Sequence, residues 1–169
     1  MVGVVADPDP ETILVAERIR SAWRDLRRAG STGAVRAYLY EPDAPLEVAQ
    51  ADALDLIVTN APVRMSEVAA LLRVDPSTAT RTIAKLQDRD LVTREPDPQD
   101  ARAVLVTPSP RGAEVHARVR ARANTLVIET LDSFQPHERQ ALATLMERLV
   151  SAIDDRSTTD RTRFDAASF

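Results

Sequence analysis

Between Ser66 and Val106 the spacing of apolar residues changes period. From Ser66 to Leu72, the positions Val68, Ala69, Leu71 and Leu72 recur at helical intervals, and Ser66 is placed to cap the helix N-terminus. Asp75 and Pro76 then supply a second start signal. Aspartate accepts the free N–H groups of a first turn, and proline loses nothing at the first helical position because its φ is already helical. A helix is therefore predicted from Pro76 to about Arg89. After Asp90 the pattern alternates: Leu91 to Glu95 and Ala101 to Val106 flank a turn rich in proline and aspartate, which predicts a β-hairpin. Two short helices followed by a hairpin with a charged tip is the order of a winged helix-turn-helix.

The flanking segments read as longer helices. From Glu11, the residues Ile13, Ala16, Ile19, Trp23 and Leu26 step by three or four, so an amphipathic helix should run to Gly30. The preceding Asp-Pro-Asp-Pro favours an extended arm. Ala34 to Tyr40 is open between a short helix and an extended piece, and 41–45 reads as a turn. A helix from Leu46 to about Asn60 should bury Leu54, Ile57 and Val58. Past the hairpin, Ser109 and Pro110 open a long helix to about Phe134. Gln135-Pro136 interrupts it, and a last helix to about Asp155 carries Leu142, Leu145, Met146, Leu149 and Ile153. These outer apolar stripes are long for one small core, so a second copy of the chain is expected to cover them, with an intrachain bundle over the winged helix as the alternative. The fold class is mainly α with a small β-hairpin wing. Its expected parts are an arm at 1–10, a dimerisation helix and connector at 11–45, a winged helix-turn-helix lobe at 46–108, C-terminal dimerisation helices at 109–155 and a polar tail at 156–169.

The second helix of the central stretch carries the candidate chemistry. A step of about 100° per residue places Ala79, Ile83 and Leu86 on one side and Ser77, Arg81, Ala84 and Lys85 towards the other. The second face, with Thr78 and Thr80, offers short hydroxyls and two cations with no bulky apolar residue between them. Such a face can enter a major groove, where hydroxyls meet phosphates and an arginine reaches a guanine edge. It also fits a plain solvated surface, and the hairpin that follows tips the balance. Arg94 and Arg102 flank the hairpin tip, where they can reach a phosphate or a narrow minor groove. Pairing with Asp97 and Asp100 is the simpler alternative for both, and the two readings are compatible.

Charge and composition narrow the classes. A net charge of −4 argues against a generally adhesive nucleic-acid binder, so any DNA contact must come from where the charges sit. Lys85 is the only lysine, and cysteine is absent, which excludes thiol sensing and cysteine-ligated zinc. The histidines, His116 and His137, form no i, i+4 ligand pair, and four glycines are too few for phosphate-cradling loops. No metal, cofactor or enzymatic chemistry is expected. No stretch approaches the ~18 apolar residues of a membrane span, and Met1 to Ala6 lacks the flank and length of a signal peptide, so a cytoplasmic location without membrane contact is expected.

At these residues the chain resembles the multiple antibiotic resistance regulator (MarR) family of dimeric winged-helix transcription regulators. The resemblance runs collinearly through Leu46-Glu47-Val48-Ala49-Gln50, Ser66-Glu67-Val68-Ala69, Ser77-Thr78-Ala79-Thr80-Arg81, Leu91-Val92, Asp97 to Arg102 and Ser109-Pro110-Arg111-Gly112. It implies that Ser77, Thr78, Thr80 and Arg81 lie on the recognition helix, with Lys85 further along, and that Arg102 is the wing arginine, steadied by Asp100 and accompanied by Arg94. Ser66 would sit near a phosphate at a helix N-terminus. The implied partners are double-stranded DNA and a second copy, the implied role that of a homodimeric repressor on a pseudo-palindrome. A small aromatic or anionic effector is also implied, with Arg20, Trp23, Tyr38 and Tyr40 as pocket candidates; for Trp23 a core or dimer-interface aromatic is the favoured reading. A winged-helix module that binds protein rather than DNA is the competing function. The chain departs from the family at Arg73 and Asp90, where glycine is usual, and at Gln99, which replaces a frequent basic residue. Arginine suits a left-handed helix end poorly, so strain or rearrangement is expected at Arg73.

Overall fold

Seven helices and three short strands make up the described residues, 9–30, 32–40 and 46–166 of a computed structural model. The first helix, α1, spans Pro10–Gly30. Asp9 caps it: its carboxylate accepts the Thr12 N–H at 2.9 Å and the Thr12 hydroxyl at 2.6 Å. The second Asp-Pro pair therefore starts a helix instead of ending an arm, and the rest of the expected arm, 1–8, lies outside the described residues. The open segment resolves as a helix, α2, Gly33–Leu39, capped by Thr32, whose hydroxyl accepts the Val35 N–H. The expected turn at 41–45 also lies outside the described residues.

The lobe that follows begins with α3, Val48–Asn60. It starts two residues later than Leu46 because Glu47 and Gln50 form a reciprocal capping box, in which the Glu47 N–H donates to Gln50 Oε1 at 3.1 Å. A two-residue strand, β1 (Val63–Arg64), leads directly into α4, Met65–Leu72, and then α5, Pro76–Asp88. The hairpin is β2 (Val92–Asp97) and β3 (Asp100–Pro108). The sheet order is β1-β3-β2, antiparallel throughout, with Val63 opposite Val106 and Val92 opposite Pro108. The third strand was not anticipated, because two residues are too few to show an alternating pattern.

One apolar core unites these elements. Leu54 and Ile57 of α3, Val68 of α4, Ala79, Ile83 and Leu86 of α5, and Leu91, Val92 and Val106 of the sheet are all buried, while Val58 is only half-buried. Full burial of each large aliphatic side chain contributes roughly 1.5–3 kcal/mol. The helix ends answer the question of the missing glycines. Arg73 and Asp90 both adopt left-handed backbone, with φ of 56° and 57°. Each end closes with a bond from the residue beyond it, Val74 N–H to the Ala69 carbonyl and Leu91 N–H to the Leu86 carbonyl. The turn at Arg73 is thus not rearranged; the arginine takes the conformation glycine would take.

Ser109 caps α6, Pro110–Leu131, and α7 runs Pro136–Ala166, well past the expected end at Asp155. Nothing between 156 and 166 is proline or glycine, so no residue there stops the helix. The chain divides into two units, one up to Ala123 and one from Asn124. In the first, α1 buries no residue and exposes Ile13, Leu14, Ile19, Trp23 and Leu26. In the second, Val127, Ile128, Leu142, Leu145, Met146, Val150 and Ile153 are exposed. Among the described residues no helix is long and apolar enough to cross a membrane.

Candidate nucleic-acid interface

The face of α5 is organised by its cap. One Asp75 oxygen accepts the Thr78 N–H at 2.8 Å and the Ser77 hydroxyl at 2.6 Å, and the other accepts the Thr78 hydroxyl at 2.6 Å. The Ser77 hydroxyl, then the bonds from Thr78, hold the Asp75 carboxyl far below the usual carboxylate range. These bonds fix the polarity of the two hydroxyls. Their protons face Asp75, so towards a ligand each oxygen presents lone pairs, which suit a base amino group better than a phosphate oxygen.

Behind that turn, Ala79, Ile83 and Leu86 are buried as their spacing required, and Thr82 joins them with its hydroxyl donating to the Thr78 carbonyl at 2.9 Å. Thr80 is exposed and donates to the Pro76 carbonyl at 2.8 Å. Arg81 is exposed and lies back along its own helix, with bonds of 3.3 Å to the Ser77 carbonyl and the Thr78 hydroxyl. Both are long, and most of its five N–H donors remain available. Lys85 is not simply free: its ammonium is 3.1 Å from Glu47 Oε2, across to the start of α3.

Ser66 does not cap α4. The chain enters that helix from β1 with Arg64 in the capping position (φ −67°, ψ 134°), and Ser66 is an exposed second residue of the first turn. Arg64 is the residue that the sequence reading missed. Its Nη2 lies 2.8 Å from Asp97 Oδ2 in an ion pair that joins the start of α4 to the end of β2. Asp97 Oδ1 accepts the Gln99 N–H at 2.8 Å, closing the wing turn. The Gln99 N–H first, and the Arg64 guanidinium after it, hold the Asp97 carboxyl below the usual range against the opposing effect of burial.

The wing arginines differ. Arg102 is exposed, and among the described residues its guanidinium has no ion-pair partner; Asp100 accepts its backbone N–H at 3.1 Å. Asp100 therefore shapes the strand that carries Arg102 and does not hold the guanidinium itself. Arg94 does not flank the tip. It stands opposite Val106, half-buried, with Nε and Nη2 shielded from solvent and lacking a hydrogen-bond partner. Neither arginine takes Asp97, which Arg64 occupies.

Comparisons with known proteins agree with this geometry. A profile of the MarR family matches residues 44–103. An uncharacterized HTH-type transcriptional regulator of Mycobacterium leprae is 32% identical over 114 residues, covering 68% of this chain and 80% of the relative. The chain belongs to the MarR family. The crystal structure of a MarR family transcription regulator aligns with a TM-score of 0.73 at 20% identity, covering 88% of this chain and 95% of the other. BpsR of Bordetella bronchiseptica, whose structure addresses regulation of its DNA binding by 6-hydroxynicotinic acid, aligns with a TM-score of 0.62 at 26% identity, over 80% of this chain and 92% of its own. The protein is thus a transcriptional regulator with a winged helix-turn-helix.

Within this MarR family protein the expected effector residues differ in exposure. Tyr40 belongs to the lobe's core, where burial first and the nearby Asp52 second push its phenol up. Burial, and then Asp55, raise the Asp52 carboxyl in turn. Trp23 and Tyr38 are exposed, as is Arg20. His116 is buried against α3, with Nε2 2.7 Å from Asp55 Oδ1, so it ties α6 to the lobe.

Proposed function

We propose that this MarR family regulator is a homodimeric repressor that binds a pseudo-palindromic operator in double-stranded DNA in the cytoplasm. The observation that carries the reading is the pairing, on one lobe, of the exposed Ser77–Thr80–Arg81 face of α5 with an exposed Arg102 on the wing. Arg81 would read a base edge in the major groove, Ser77 and Thr78 would accept from base amino groups, and Arg102 would enter the adjacent minor groove. Ser66 and Lys85 would add phosphate contacts, Lys85 by leaving Glu47. The uncovered apolar residues of α1 and α7 support a second copy, which would set the recognition helices ~34 Å apart. The BpsR likeness supports a small aromatic, anionic effector, with Arg20, Trp23 and Tyr38 as the residues to test.

The test is selection of sites from random duplex DNA followed by binding titrations across salt. Affinity for a two-fold site should fall linearly on a log–log plot, with a slope of about −0.9 per phosphate neutralised. Arg81→Ala should cost about 1–3 kcal/mol and relax choice at one base position. A monomeric chain that enriches no duplex would overturn the proposal in favour of a protein-binding module.

A further inference from the structure

Between the base of the wing and its tip the hairpin has little lateral support. β1 contributes two residues, opposite Val106 and Leu105, so the outer hairpin from Pro96 to Val104 has no third-strand neighbour. The ladder is also irregular there, with a register shift between Pro96 and Asp97. The Arg64 guanidinium reaches that outer end. The Arg64 side chain is 43% exposed, whereas that of its partner Asp97 is 7% exposed and holds the turn through the Gln99 N–H. Asp97 faces Asp100, and Asp100 in turn accepts the backbone N–H of Arg102. The Asp97 carboxylate also accepts the Asp100 backbone N–H, so polar contacts run from the residue before α4, through the turn, to the backbone of the exposed wing arginine.

We propose that Arg64 is a positioning residue for DNA binding, clamping the wing turn through Asp97 so that Arg102 is presented at a fixed offset from the recognition helix. This rests on the functional reading above. The clamp has an electrostatic side as well: Glu95, Asp97 and Asp100 crowd the wing, and the guanidinium offsets the carboxylate that cannot turn to solvent. A hinged wing would still carry Arg102, but ordering it on DNA would then draw on binding free energy.

The experiment compares wild type, Arg64→Ala, Arg64→Lys, Arg102→Ala and the Arg64→Ala/Arg102→Ala double variant. Each is read by binding to a selected duplex across salt and by amide exchange at Gln99. Arg64→Ala should weaken binding about threefold to tenfold without changing the salt slope, since a partly exposed pair contributes modestly and no phosphate contact is lost. In the Arg102→Ala background it should cost almost nothing further, because both act through the wing. Lysine should restore most of the loss, as a single donor suffices for Asp97 Oδ2. Gln99 exchange should accelerate in Arg64→Ala and recover in Arg64→Lys.

A salt slope shallower by about one unit in Arg64→Ala would make Arg64 a direct phosphate ligand and overturn the proposal. So would full additivity with Arg102→Ala. Unchanged Gln99 exchange would overturn the clamp itself, independently of DNA. Failure of the wild-type chain to bind any selected duplex would instead overturn the functional reading, and with it the role in DNA binding, while the exchange data still report on the clamp.

Discussion

Gly112, in the first turn of α6, sits directly against the Leu91 carbonyl oxygen, so close that a Cβ at this position would overlap that oxygen and its carbon. Around this contact Ser109 donates its hydroxyl to the Asp90 carbonyl at 2.6 Å and accepts the Gly112 N–H at 2.9 Å, while its own N–H meets the Leu91 carbonyl at 3.0 Å. The start of α6 is thereby welded to the turn after α5 by backbone contact and the Ser109 hydroxyl, not by apolar packing. Gly112→Ala forces the two apart and should destabilise the protein by about 3 kcal/mol, towards the upper end for overpacked sites. Urea unfolding measures this directly, and a midpoint equal to wild type would mean that the junction yields at no cost.

The Asp75 cap makes stability depend on acid. The folded carboxyl titrates below its ordinary value of 3.8, chiefly through the Ser77 hydroxyl, so it contributes stability that is fully present above about pH 4. That contribution is lost as pH falls through the folded value. Asp75→Asn keeps one acceptor oxygen and cannot titrate. The stability difference between wild type and Asp75→Asn should therefore be largest near neutrality and shrink steadily below about pH 4. Chemical unfolding at pH 7, 4 and 3 checks this; a gap that widens on acidification contradicts the assignment.

How much of this was legible follows from the range of each interaction. Asp75-Pro76 announced a helix start because a cap acts within three residues, and the apolar period of Ala79, Ile83 and Leu86 fixed the buried face. The left-handed ends at Arg73 and Asp90 were legible as positions where glycine is expected. The Arg64–Asp97 and Lys85–Glu47 pairs were not, because their partners are 33 and 38 residues apart and leave no periodic trace. Arg94 was misplaced for a related reason: its burial depends on the hairpin register, which sets it opposite Val106 and away from the tip.

Those helix ends carry a cost that glycine would remove. Non-glycine residues in left-handed backbone lose about 1 kcal/mol, and arginine lacks the short polar side chain that eases this for aspartate. After allowing for the greater freedom of glycine in the unfolded chain, Arg73→Gly should raise stability by about 0.5 kcal/mol, and Asp90→Gly by less. Equilibrium unfolding of the two variants side by side tests the order. Destabilisation by Arg73→Gly would show that the arginine side chain contributes more than its backbone conformation costs.

If α5 reads DNA as proposed, the Lys85–Glu47 pair bears on affinity, because it holds the chain's only lysine in the free protein. If Lys85 turns to a phosphate in the complex, it first gives up Glu47, and the Glu47 carboxylate stays behind near the duplex as an unfavourable charge. Glu47→Gln removes both penalties and retains an oxygen that can cap α3. Both partners are more than half exposed, so the pair is worth at most about 1 kcal/mol, and operator affinity should rise about twofold to fivefold. The gain should vanish in a Lys85→Ala background if it comes from releasing the lysine, and persist there if it comes from removing the carboxylate. Titrations of the single and double variants at one salt concentration separate the two. A loss of affinity on Glu47→Gln would instead mean that the pair holds Lys85 in the orientation DNA requires.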